Sequence, residues 1–369
     1  MNYGYYNPDG WSNFTIDNEK EARGRFSRFF LAVFIFMITA YAVSYGIQFG
    51  VILIYGKDAY SALANTWWFS WLIQIISMYV IAFPIFLLIT RGMKSVFRAK
   101  SKLKFTEFLQ IFLVSQAGMM AGNLLGNAIN SVLYSLFGFD ISASQTDKLI
   151  TDSPIWVVLI VAVIIGPIIE EIIFRKVLMD KLGMYGDRLA IIVSAVSFGI
   201  FHGNISQCFY AMILGLVLAY VYSKTANIIY PIILHMLVNF FGAFIPLLFL
   251  SPLEELMALY EKLLEEIPLT ELETFRLSQL TTLSGIFVFI EMALPVAGLF
   301  IFFKKRHTIF VSDRCEICIP KENRASIIML NVGAILFAIM IVVEFALTGF
   351  ANYLDFITAL NNGQGGAPL

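Results

Sequence analysis

The chain has 369 residues, of which 59% are hydrophobic and 14% charged, against about 25% charged in an ordinary soluble domain. So few charges cannot cover a water-soluble body of this size, and a mean hydropathy of +0.79 makes lipid the solvent for most of its surface. A formal net charge of -1 gives no basis for binding nucleic acid. Three cysteines, Cys208, Cys315 and Cys318, are too few for a disulfide framework.

The N-terminal stretch is polar and aromatic without an apolar core. Residues 1–28 therefore read as a retained tail rather than a cleaved signal. A membrane-spanning helix needs about 20 predominantly apolar residues. Nine candidate runs follow in chain order, at 29–54, 66–90, 106–137, 153–180, 188–204, 207–223, 228–250, 280–303 and 326–349. The third carries Gly118, Gly122, Gly126 and Gly138, so it is expected to be either broken or closely packed. The fifth and sixth are the shortest, parted only by the turn-like cluster Gly203, Asn204, Ile205 and Ser206. The fold class is thus all-α, a polytopic transmembrane helix bundle of eight to nine spans.

Basic residues set an orientation. Arg23, Arg25 and Arg28 precede the first run. Arg91, Lys94, Arg98, Lys100, Lys102 and Lys104 join the second and third, and Lys181 and Arg188 join the fourth and fifth. Lys304, Lys305, Arg306, Arg314, Lys321 and Arg324 join the eighth and ninth. All fall on one side if nine spans alternate, which puts the N-terminus in the cytoplasm and the C-terminus outside. Residues 252–275 combine Leu253, Leu256, Met257, Tyr260, Leu263 and Leu264 with a glutamate face, the pattern of an external interfacial helix. The expected organisation is N-terminal helices over 29–152, a polar-bearing core over 153–250, an acidic amphipathic segment over 251–279, C-terminal helices over 280–349 and a flexible tail over 350–369.

The chemistry sits in the core. A charged residue at the centre of a span costs roughly 2.5–3.5 kcal/mol on insertion scales. The fourth run nevertheless reads Ile169-Glu170-Glu171-Ile172-Ile173-Phe174-Arg175. Glu171 and Arg175 stand four apart and can pair. Glu170 projects about 100° away and is left without a local partner. Of three histidines, His307 lies in a basic loop, while His202 and His235 lie in apolar runs. His235 and Asn239 share a helix face. Measured from the turn near Gly183–Gly186, Glu170 and His202 both lie about 23–26 Å deep; from the turn near Lys224–Asn227, His235 and Asn239 lie about 14–20 Å deep. The groups can meet in one layer.

Such residues suit hydrolysis. A carboxylate and an imidazole can bind and deprotonate water, and a second imidazole with a carboxamide can donate to an oxyanion. Ser194, Ser197 and Ser206 lie nearby, but none stands in a nucleophile motif. Zinc is the competing use of two His and a Glu, without a His-Glu-x-x-His run to support it. The single Cys315-Glu-Ile-Cys318 lacks the second pair of a zinc knuckle.

Glu170-Glu171-x-x-x-Arg175, Phe198-x-x-x-His202 and His235-x-x-x-Asn239, in that order and each in its own span, resemble the CAAX protease and bacteriocin-processing family, which includes the Ras-converting CAAX endopeptidases. The motifs cover residues 170–239. The resemblance implies a cofactor-free, metal-independent intramembrane endopeptidase. Glu170 would activate water with His202, His235 and Asn239 would stabilise the oxyanion, and Glu171 and Arg175 would support them, with Glu171 an alternative base. The cavity would open toward the cytoplasm and bilayer, and the substrate would be a membrane-associated or lipidated peptide. The alternatives are a non-catalytic self-immunity protein of the same fold, a zinc peptidase, and a transporter, the last without any visible inverted repeat.

Overall fold

A computed structural model describes residues 14–138, 149–309, 311 and 315–361. Arg314, the first 13 residues and residues 362–369 lie outside the described residues. The described chain is helical, with no strands. Its helices are α1 (Ile16–Ala64), α2 (Trp67–Thr90), α3 (Phe105–Phe137), α4 (Ile155–Tyr185), α5 (Asp187–Phe201), α6 (Ile205–Thr225), α7 (229–264), α8 (Glu271–Lys305), α9 (Lys321–Met329) and α10 (Val332–Asn361). Eight of these are long and apolar enough to cross a membrane: α1 to α4, α6, the 229–249 part of α7, α8 and α10. α5, with 15 residues, is too short to count among them and packs against both α4 and α6.

The basic segments meet at one end of the bundle. Arg25 donates to the Lys94 carbonyl at 3.1 Å and Lys181 to the Met93 carbonyl at 2.6 Å. Arg98 pairs with Asp187 at 2.6 Å, and Ser101 donates to the Lys224 carbonyl at 2.8 Å. Arg23 reaches the Ser326 carbonyl at 2.9 Å, and the Met184 carbonyl accepts from the Glu316 and Ile317 amides. This is the grouping the loop charges require. Phe289, Val296, Phe300 and Val342 stand exposed on α8 and α10, as lipid-facing side chains do.

Several boundaries differ from the sequence reading. Residues 16–28 are the first turns of α1, started by Thr15, whose side chain accepts from the Asn18 amide. The acidic stretch is not one interfacial helix. It is the tip of a helical hairpin formed by the end of α7 and the start of α8, closed by a Thr270–Glu273 capping box. Leu256, Leu259 and Leu280 form its small core, and Glu255–Arg276 and Lys262–Glu273 pair across it. Residues 350–361, expected in a flexible tail, continue α10.

α3 is unbroken, so close packing is the reason for its glycines. A Cβ at Gly122 would lie 2.5 Å from the Tyr210 backbone on α6. The main core gathers phenylalanines: Phe26, Phe29 and Phe36 of α1 pack with Phe86, Phe174 and Phe198. Wide π-helical turns interrupt α2 (Ile75–Ala82), α4 (Leu159–Ile165 and Ile172–Val177) and α7 (Phe240–Phe244). Those in α4 flank the glutamate pair, where such turns re-aim side chains and free carbonyls.

Candidate active site

The polar residues of α4 to α7 converge around one aromatic ring. Phe198 is fully buried on α5. The Arg175 guanidinium lies 4.5 Å from its centroid, and the His202 and His235 rings meet it edge-on at 4.9 and 5.6 Å. The Phe198 carbonyl also binds Nδ1 of His202 at 2.8 Å. A carbonyl only accepts, so Nδ1 carries the proton and Nε2 keeps its lone pair. The Phe-x-x-x-His spacing thus has a physical content: one residue supplies both the ring that packs the site and the oxygen that fixes the imidazole tautomer.

Glu171 and Arg175 are completely buried, and Glu171 Oε2 lies 3.2 Å from Arg175 Nε, an ion pair by distance though without hydrogen-bond alignment. Arg175 Nη2 also donates to the Gly215 carbonyl at 3.4 Å. The other Glu171 oxygen binds His235 Nδ1 at 3.0 Å. One carboxylate therefore holds a guanidinium and an imidazole at once, and its own charge is balanced although the side chain is fully buried.

Glu170 differs. Its side chain is 27% exposed, and its Oε2 stands 3.7 Å from Nε2 of the buried His235. It lines a cavity of about 490 Å³ together with His202 and Tyr79. Two carboxylates adjacent in sequence thus take separate environments, one clamped and one facing space. Asn239, half-buried, donates from Nδ2 to the Ala162 carbonyl at 2.9 Å, in the π-helical turn of α4. That bond uses one of its two N–H groups. Neither His235 nor Asn239 lines the cavity itself.

α4, α5 and α7 carry the six candidate residues: Glu170, Glu171, Arg175, His202 and His235 lie near one another around Phe198, while Asn239 binds the Ala162 carbonyl. Tyr79 was missed by the sequence reading, since an isolated tyrosine in an apolar run carries no pattern. The cavity also departs from expectation in direction. Its lining runs through Tyr60, Ala64 and Phe69 toward the α1–α2 connection, away from the basic loops. Among the described residues no three His, Cys, Asp or Glu side chains are disposed to hold a metal ion. Cys315 and Cys318 are joined to each other as a disulfide, and Cys208 is free and buried.

A family model described as type II CAAX prenyl endopeptidase Rce1-like matches residues 152–241. The chain is 32% identical over 116 residues to the putative membrane peptidase YdiL of Bacillus subtilis, covering 30% of this chain and 46% of that protein. It is 31% identical over 130 residues to the membrane-embedded CAAX protease MroQ of Staphylococcus aureus, covering 32% of this chain and 52% of that one. The chain spans about half the length of the curated relatives it matches. No solved structure gives a significant match. Residues 152–241, which contain the three motifs, are thus similar to the Rce1-like type II CAAX prenyl endopeptidases.

Proposed function

We propose that this chain is a membrane-embedded endopeptidase that hydrolyses a peptide bond in a membrane-associated peptide with a water activated by Glu170 and His202. The observation that carries this reading is the pairing of a cavity-facing carboxylate, Glu170, with a tautomer-fixed imidazole, His202, on the wall of one cavity. A water there can give one hydrogen to the carboxylate and the other to Nε2 of His202, leaving its oxygen lone pair for the substrate carbonyl carbon. As the C–O bond forms, the water proton passes to Glu170, which returns it to the departing amine when the C–N bond breaks.

His235 and Asn239 are the proposed oxyanion partners. Asn239 keeps a second N–H after its bond to Ala162, and that bond fixes the plane of the amide. His235 meets the reaction through Nε2, because Nδ1 is held by Glu171; donation to an oxyanion requires a proton on Nε2. Glu171 and Arg175 act as positioning residues: Glu171 holds His235 Nδ1, and Arg175 pairs with the other Glu171 oxygen. The relatives named as membrane peptidases support the reaction class.

The test is hydrolysis of quenched-fluorescence peptides, lipidated and unlipidated, by the protein in nanodiscs. Cleavage lost in both Glu170→Gln and His202→Ala, and retained with o-phenanthroline, supports the reading. Cleavage abolished by the chelator and restored by zinc reassigns the same side chains to a metal. Wild-type-like cleavage by Glu170→Gln overturns the assignment of the base.

A further inference from the structure

The cavity that holds Glu170 and His202 has a second acidic pole. Glu344, from α10, lines the same space, although α10 lies outside the matched family region and outside the three motifs. Its Oε1 accepts from the Tyr41 hydroxyl at 2.6 Å. Its Oε2 has no hydrogen-bond partner among the described residues, and neither a lysine nor an arginine lines the cavity. A carboxylate at mid-span is costly unless something balances it, and here the protein supplies one neutral hydroxyl and no cation.

Position makes the pole relevant to the reaction. Gly203, which follows His202 in the chain, has φ +67 and packs its bare Cα against the Glu344 carboxyl group. A Cβ there would lie 2.3 Å from Glu344 Cδ. The glycine suits the left-handed turn and leaves room for this carboxylate beside the residue that carries the imidazole. The neighbouring polar groups are already engaged: Tyr60 donates to Gln48 at 2.6 Å, and Gln48 donates to Ser44 at 3.2 Å.

We propose that Glu344 is a specificity-determining residue that takes a cationic group of the peptide substrate, an arginine or lysine side chain or an N-terminal ammonium, close to the bond that is cut. The inference rests on the peptidase reading for its meaning and on the charge of the cavity for its chemistry. The Glu344 carboxylate, with no lysine or arginine among the residues lining the cavity, favours a positive partner entering from the substrate. Burial away from water makes that pairing selective against a neutral group of the same shape.

The experiment uses short apolar peptides in which one arginine is moved through the sequence, each beside a citrulline counterpart that keeps the shape and loses the charge. Both are offered to the full-length protein in nanodiscs. At one register, wild type is expected to prefer arginine over citrulline by about tenfold or more in kcat/KM. Glu344→Gln, which can still accept from Tyr41, is expected to bring that ratio near one, and Glu344→Lys to invert it. An unchanged ratio in Glu344→Gln, or no preference by wild type at any register, overturns the proposal. Fluorescence-anisotropy binding of the same pairs to Glu170→Gln and to the Glu170→Gln, Glu344→Gln double variant reads the site without hydrolysis. Charge-dependent binding lost in the double variant supports the cation site even if no peptide is cut, and equal binding by both variants overturns it even if peptides are cut.

Discussion

His235 Nδ1 and Glu171 Oε1 lie 3.0 Å apart with both side chains almost wholly buried. This contact ties α7 to α4, and through the second Glu171 oxygen it extends to Arg175. Removing the carboxylate leaves a guanidinium stranded in a dry interior. Breaking a buried pair in this way costs about 3–5 kcal/mol. Glu171→Ala is therefore expected to lower the thermal unfolding midpoint in detergent sharply. The Glu171→Ala, Arg175→Leu double variant is expected to recover much of it while staying inactive. If the double variant is as unstable as the single one, the pair is not what makes Glu171 structurally important.

Phe198 gives a second prediction. It packs against Arg175 and both imidazoles, so Phe198→Leu keeps an apolar residue but removes the ring surface they share. The variant is expected to fold, with a loss of about 1–3 kcal/mol from the smaller side chain and the gap it leaves, and to lose far more in kcat than in stability. Its backbone carbonyl still holds His202, which isolates the contribution of the ring. Wild-type turnover by Phe198→Leu would show that the ring only fills space.

The glycine seam of α3 is a packing prediction. A Cβ at Gly122 meets the Tyr210 main chain, which cannot move without shifting α6. Gly122→Val is expected to destabilise the bundle by at least 1–3 kcal/mol, the range typical of overpacking. Gly24, with nothing near its added Cβ, supplies the control: Gly24→Ala is expected to leave the unfolding midpoint unchanged or slightly raised.

The six polar residues were legible because lipid makes such residues expensive: Glu170, Glu171, Arg175, His202, His235 and Asn239 stand out against Ile, Leu and Phe, and helical spacing alone placed them at compatible depths. Their division of labour was only half legible. Sequence spacing pairs Glu171 with Arg175, but that His235 also takes Glu171 depends on the crossing of α7 over α4. The hairpin of α7 and α8 was hidden because glutamates at both helix ends imitate one amphipathic surface helix. Tyr79, Tyr41 and Glu344 were hidden for another reason: they come from α1, α2 and α10, and only the folded bundle brings them to the cavity. Glu344 is the lone charge of the apolar run 332–354, the signal that also marks Glu170, but it has no motif partner beside it.

The gathering of basic loops at one end yields a prediction of sidedness. By the positive-inside rule that end is expected to face the cytoplasm, and the α7–α8 hairpin to face outward. In intact cells, Glu265→Cys is expected to react with a membrane-impermeant maleimide, and Ser95→Cys only after lysis. Both positions are exposed, so access is set by the membrane. The reverse labelling would invert the orientation while leaving the site geometry untouched.

Asn239 separates oxyanion support from structural anchoring. One amide N–H is committed to the Ala162 carbonyl, which leaves the second for the proposed oxyanion role. If that second N–H meets developing charge, Asn239→Ala removes an interaction made mainly in the transition state. Loss of one such donor costs about 10²–10³ in kcat, with KM little changed because the ground-state carbonyl carries less charge. Asn239→Asp is the sharper variant. An ionised carboxylate there cannot donate to Ala162 and repels an oxyanion, so it is expected to fall below the alanine variant in kcat. Steady-state kinetics on one cleavable peptide distinguish the two roles. A residue that merely anchors α7 to α4 loses activity in proportion to lost stability, and the two variants then rank by unfolding midpoint instead of by charge.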